Sequence, residues 1–332
     1  MRAVIGEVLI VAAAAVCVSP WGSPQVGLLM GMALALAGLT WRPRLAKKLS
    51  RVLIQACIVL LGLTINLSEV ARAGVSGLVF AAGTIAGAFV VGLALARLLR
   101  VEGKLATLLC SGTAVCGGSA IAATSSVIRA RDAHTSIALA CVFLLNALAL
   151  YLFPWLGHRL ELSQHQFGAW AAVAIHDVAS VVGAGAAYGE VARADATIIK
   201  LVRVLWIVPI ALATGWYWRR RDAREGTPGS PAAGPGASAE SKRPGLTGVV
   251  PWFILLFLVT STVRTLWPGL SGADPAIKFA TRAGMSVALL LIGAGLSVRA
   301  VKEVGWRALL MATLLWVALS AAALAVVLRT VE

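Results

Sequence analysis

The chain has 332 residues, 59% of them hydrophobic and 13% charged, against about 25% charged in a soluble domain. Its net charge of +15 resides in short connections between apolar runs. That is the positive-inside pattern of a multi-pass membrane protein, and it argues against nucleic acid as a partner. The five cysteines (17, 57, 110, 116 and 141) lie in or beside apolar runs and show neither disulfide nor zinc spacing, so small packing residues are expected there.

Runs approaching the roughly 20 residues that cross a bilayer fall at 4–18, 24–40, 52–66, 74–99, 105–128, 134–153, 168–187, 196–218, 248–265, 279–297 and 306–328. The first is kept as a transmembrane helix because Glu7 interrupts it and no cleavage site follows, a signal peptide being the alternative. Basic connections at 41–51, at Arg97–Lys104, at 219–247 and at Arg299–Arg307 fall on one side, which puts the N-terminus in the cytoplasm. Trp41, Trp155, Trp216, Trp218, Trp267 and Trp306 flank the spans as interface anchors. The chain is expected to form one transmembrane domain, 1–332. Within it, 219–247 is expected to be a flexible cytoplasmic linker of Pro, Gly, Ala and Ser.

Two stretches break the apolar pattern. Cys110–Ala123 is built of small residues, with Gly112, Gly117 and Gly118 disfavouring helix and Ser111, Thr113 and Ser119 able to bond backbone. Irregular backbone in a bilayer is tolerated where it is buried in protein or lines a wet cavity, so an unwound or re-entrant part of a substrate site is expected. A close helix-packing face is the alternative. Ala174–Gly189 is the partner stretch, with His176 and Asp177 in apolar surroundings, where ionisable groups are costly and functional by default. If 105–128 crosses fully, Arg129 and Arg131 end up outside. Two re-entrant elements from opposite faces satisfy the charge rule better, with two broken spans as the alternative.

Lys200 and Arg203 follow, three apart and so on one helix face, where they would give an anion positive charge beside helix N-termini. Asn146 and Gln55 are expected to hydrogen-bond between helices. Residues 60–74 resemble 291–305, and 127–135 resemble 190–197. The first pair lies an odd number of spans apart and would be inverted, a secondary-transporter trait. No G-x-S-x-G, H-E-x-x-H, GxGxxG or P-loop is present, so neither a hydrolase nor ATP-driven transport within this chain is expected.

The blocks S-G-T-A-V-C-G-G-S-A-I-A-A, L-L-N-A-L-A-L-Y-L-F-P-W-L, G-A-W-A-A-V-A-I-H-D-V-A-S-V-V-G-A-G and K-L-V-R-V-L-W-I-V-P resemble the YeiH family of bacterial inner-membrane proteins, usually labelled sulfate exporters. The resemblance runs from about residue 24 to the C-terminus, with Val115 and Ala179–Val181 departing from the usual pattern. It implies an all-α polytopic fold of about 9–11 transmembrane helices, with inverted repeats and two interrupted or re-entrant segments. It also implies a secondary transporter and no enzyme, with no cofactor beyond a coupling H+ or Na+. Expected partners are the lipid bilayer and a small anion such as sulfate or a related oxyanion or sulfonate, with a homo-oligomer left open. The substrate site would comprise Ser111, Gly112, Thr113, Cys116, Gly117, Gly118, Ser119, His176, Asp177, Lys200 and Arg203. The competing readings are a cation–proton antiporter with Asp177 as carrier and a sensor or scaffold that transports nothing.

Overall fold

A computed structural model describes residues 2–39, 43–224, 252–295 and 305–331, and among these the regular structure is helical throughout. The helices are α1 (Arg2–Val18), α2 (Pro24–Leu36), α3 (Pro43–Gly62), α4 (Leu67–Leu98), α5 (Gly103–Ala114), α6 (Gly118–Val127) and α7 (Asp132–Arg159). They continue as α8 (Gln164–Ala174), α9 (Val178–Tyr188), α10 (Glu190–Leu205), α11 (Ile207–Arg224), α12 (Trp252–Leu266), α13 (Asp274–Ala294) and α14 (Trp306–Thr330). Among the described residues, five stretches are long and apolar enough to cross a bilayer: 77–98, 132–159, 190–224, 269–294 and 306–330. The protein is thus an all-α polytopic membrane protein.

Two bundles share the chain. α1, α2, α3, α12 and α13 pack on one another, and α4 to α11 with α14 form the second bundle. They meet where α9 lies against α2 and α13 and where α12 touches α4. On this seam Gln25 donates to the Gly183 carbonyl at 3.3 Å, and Lys278 of α13 pairs with Glu190 of α10 at 2.9 Å.

Neither 105–128 nor 168–187 crosses. α5 and α6 fold back on each other as hairpin one, so that a Cβ on Gly112 would stand 2.8 Å from Ile121 Cδ1, nine residues on; a straight helix would separate them by about 13 Å. Its two ends are tied at one face, where Arg131 pairs with Glu102 at 2.6 Å. α8 and α9 form hairpin two. Gln164 at its entrance accepts the amide of Val191 just past its exit at 3.0 Å, and His165 meets Asp195 at 2.6 Å.

The hairpins enter from opposite faces. α10 starts beside the ends of hairpin two, and α11 finishes beside those of hairpin one, where Gly215 backs onto Val127 and Trp218 onto Gly103. The break between α10 and α11 has a cause in sequence. Pro209 has no N–H for the Leu205 carbonyl and its ring crowds that turn, so the helix interrupts at Trp206. α4 ends at the face of hairpin one, whereas α14 ends at that of hairpin two, where Gln166 donates to the Val331 carbonyl at 2.9 Å. The two helices are therefore antiparallel, as inversion of the 60–74 and 291–305 segments requires; residues 296–304 of the second copy lie outside the described residues.

Two boundaries and one side chain differ from the sequence reading. Residues 43–51, expected as a connection, open α3, because an amphipathic helix with Lys48 and Arg51 in it escapes a search for apolar runs. Residues 219–224 of the expected linker continue α11, and the rest of that linker lies outside the described residues. Trp218 is buried rather than an interface anchor, donating Nε1–H to Thr107 Oγ1 at 3.1 Å, while Trp155, Trp216, Trp267 and Trp306 are exposed. Trp41 lies outside the described residues.

Candidate functional site

The two hairpin tips meet midway along α7. Hairpin one turns at Val115–Gly117 and hairpin two at Ile175–Asp177. Gly117 has φ +54°, and a Cβ there would lie 3.1 Å from Val142 Cγ1 and 3.4 Å from His176 Cβ. Only glycine suits both the left-handed backbone and this tip-to-tip contact. Asn146, near the middle of the 28-residue α7, donates to Ser180 Oγ at 2.6 Å and accepts the Asp177 amide at 3.1 Å.

Each break exposes a helix C-terminus in the protein interior, and the unpaired carbonyls there need donors. At the end of α8, Lys200 Nζ donates to the Ile175 carbonyl at 2.7 Å and the Ala172 carbonyl at 3.2 Å, and Trp316 Nε1 donates to Ala174 at 2.7 Å. At the end of α5, Arg203 Nη2 donates to the Ala114 carbonyl, while Nη1 donates to Thr84 Oγ1 of α4 at 2.6 Å. Both cations are fully buried. They sit at the negative ends of two helix dipoles, each equivalent to about half a charge. The expected face of α10 is real, but its charges cap the broken helices, and neither cation snorkels to an interface.

The opposite ends of the breaks differ from each other. Asp177 caps α9, accepting the Ser180 amide at 3.2 Å, and its side chain is half-buried. α6 begins at Gly117 with no side-chain cap and no acidic residue in its first turn. There Gly118 is half-exposed and Ser119 exposed, so the positive end of α6 is accessible at the tips. Cys116 lies within electrostatic reach of both Lys200 and Asp177. His176 is fully buried with neither ring nitrogen bonded to protein. Its ring lies 6.4 Å from that of Trp316. The buried Thr113 hydroxyl likewise has no protein partner.

Most of the residues singled out from sequence are therefore brought together: Thr113, Cys116, Gly117, Gly118 and Ser119 from one tip, His176 and Asp177 from the other, Lys200 and Arg203 behind them. Two sit apart. Ser111 spends its hydroxyl on the Thr107 carbonyl of its own helix at 2.8 Å, and Gly112 is covered by Ile121. Thr84, Ser180 and Trp316 join the network unannounced, being ordinary residues within long apolar runs. Asn146 was announced by its amide in mid-span, and its interhelical bonds reach the backbone of the candidate site itself. Among the described residues no group of three or more His, Cys, Asp or Glu could hold a metal ion.

The family model for conserved hypothetical protein 698 matches residues 4–312. A UPF0324 membrane protein of Bacteroides thetaiotaomicron is 38% identical over 309 residues, which cover 92% of this chain and 87% of the relative. One from Photobacterium profundum is 38% identical over 318 residues, 96% of this chain and 90% of the relative. One from Geobacter sulfurreducens is 38% identical over 307 residues, 92% and 91% respectively. No solved structure matches the chain.

Proposed function

Because this chain belongs to the family of conserved hypothetical protein 698, the UPF0324 or YeiH membrane proteins, we propose that it is a secondary transporter that carries a small anion where the two hairpin tips meet. One observation carries this reading. The four helix ends at the tips cancel in pairs, but behind them stand two buried cations, Lys200 and Arg203, and among the described residues the carboxylate in electrostatic reach of Lys200 is Asp177. With all three ionised, one positive charge is left over in a low-dielectric interior, where an unbalanced charge is expensive. A small anion at the uncapped N-terminus of α6 would balance it, with the Gly118 and Ser119 amides and the Ser119 hydroxyl as donors. Sulfate, or a related oxyanion or sulfonate, suits several donors converging on tetrahedral oxygens.

Asp177 gives a route to coupling. Its carboxylate repels an anion at the tips when ionised and does so no longer when it holds a proton. Loading of substrate and proton would then be linked through differential affinity. The cluster of Arg97, Arg100, Lys104, Arg129, Arg131 and Arg219–Arg221 at the face of hairpin one supports a cytoplasmic location for that face and for the N-terminus of α1, in a bacterial inner membrane.

A second reading is a cation–proton antiporter with Asp177 as carrier. The occupation of Lys200 and Arg203 by helix carbonyls favours it, since Asp177 is then the accessible charge. Proteoliposome flux separates the two. Labelled sulfate or sulfonate moving down an imposed proton gradient, and lost in Asp177→Asn, is the expected result. Exchange of Na+ or K+ for protons without dependence on any anion would sink the anion reading and establish the second.

A further inference from the structure

A cavity of about 650 Å³ lies away from the hairpin tips, between the C-terminal half of α4, the start of α5 and α11. Its walls change character along their length. Ala86, Phe89 and Leu93 of α4 and Ile210 and Ala213 of α11 make an apolar trough. At the end where both helices leave the bundle, Arg97 and Arg221 flank the opening beside Tyr217 and Trp218. From Ala86 to Arg97 the trough runs about 16 Å at the helical rise, roughly half the bilayer's hydrocarbon thickness.

We infer that this cavity is a binding site for an anionic phospholipid, its phosphate held by Arg97 and Arg221 and its acyl chains lying along the apolar trough. The argument is charge and shape complementarity together. A free anion has no use for a long apolar wall, and an apolar solute has none for two guanidinium groups at one end. A lipid with a charged head uses both, and basic pockets between transmembrane helices are the usual seat of such head groups. The surroundings are built to hold the opening in shape. Trp218 is fixed by its bond to Thr107 at 3.1 Å, Lys104 by Asp222 at 3.2 Å, and the Arg221 guanidinium stands 5.1 Å from the centre of the Trp218 ring. Arg97 is exposed at this rim. Ala106 and Thr107 of hairpin one form part of the wall, so the lipid would buttress the base of that hairpin without touching its tip.

The test uses the full-length protein, delipidated in mild detergent. Phosphatidylglycerol should raise its thermal midpoint in a dose-dependent manner, phosphatidylcholine with the same acyl chains much less, and inorganic phosphate not at all. Arg97→Gln with Arg221→Gln should weaken phosphatidylglycerol binding about thirtyfold, at about fivefold for each arginine near the membrane surface. Ala213→Trp, which fills the trough and leaves both arginines in place, should also abolish the shift. Equal stabilisation by the two lipids, stabilisation by phosphate alone, or a lipid preference that survives both variants would overturn the inference. None of these readouts depends on transport.

Discussion

At the residue scale, Asp177 holds two roles that one substitution can separate. As the N-cap of α9 it satisfies the Ser180 amide, and asparagine caps about as well as aspartate, whereas alanine costs about 1 kcal/mol. Asp177→Asn should therefore keep its thermal midpoint and lose proton coupling, while Asp177→Ala should lose both; midpoints and proteoliposome flux would show it. Arg203 behaves differently. Arg203→Met leaves the buried Ala114 carbonyl without its donor, at a cost of about 1–3 kcal/mol for a buried group left unpaired, while Thr84 keeps its bond to the Phe80 carbonyl. A midpoint unchanged by that substitution would refute the capping role. Gly117→Ala forces a side chain into a left-handed position against Val142 and His176, with strain on the order of 1–3 kcal/mol, and should lower both stability and flux.

At the element scale, the hairpins were legible in sequence to the extent that their irregularity is local. Gly112, Gly117 and Gly118 announced a break, His176 and Asp177 fall at the second one, and Arg129 with Arg131 indicated on which face hairpin one returns. The capping of α5 and α8 by Lys200 and Arg203 was not legible. A carbonyl becomes orphaned only after its helix has stopped, and the donor that reaches it lies 25 or 89 residues away. Trp218 shows the same limit, since whether a tryptophan faces lipid or Thr107 is decided by a helix far off in sequence. The hairpin geometry is testable by cross-linking. Cysteines replacing Glu102 and Arg131 should be joined by a short bifunctional thiol cross-linker in native membranes, and those replacing His165 and Asp195 should be joined likewise, each pair being in side-chain contact. A membrane-impermeant thiol reagent should reach the two pairs from opposite sides. Labelling of Glu102→Cys and Arg131→Cys from opposite sides would show a crossing segment instead.

At the scale of the whole molecule, the seam between the bundles is where alternating access would act. Lys278–Glu190 spans it at the face of hairpin two, and a surface ion pair of this kind contributes only about 0–1 kcal/mol, weak enough to open and close. A cleavable bifunctional thiol cross-linker joining Lys278→Cys to Glu190→Cys should halt flux and its cleavage should restore it. Flux that continues through the cross-link would rule out motion at this seam. The pairing of α10 with both tips has a consequence for how the protein is made. Hairpin one leaves the ribosome 89 residues before Arg203, the donor its buried carbonyl needs, and hairpin two emerges before Lys200. During synthesis, therefore, neither hairpin has the donor that α10 brings until that helix arrives, and hairpin two gains Trp316 later still. Chains truncated after Tyr188 should remain substrates for membrane proteases, whereas chains truncated after Arg224 should resist them, with the single span α10–α11 acting as the keystone of insertion.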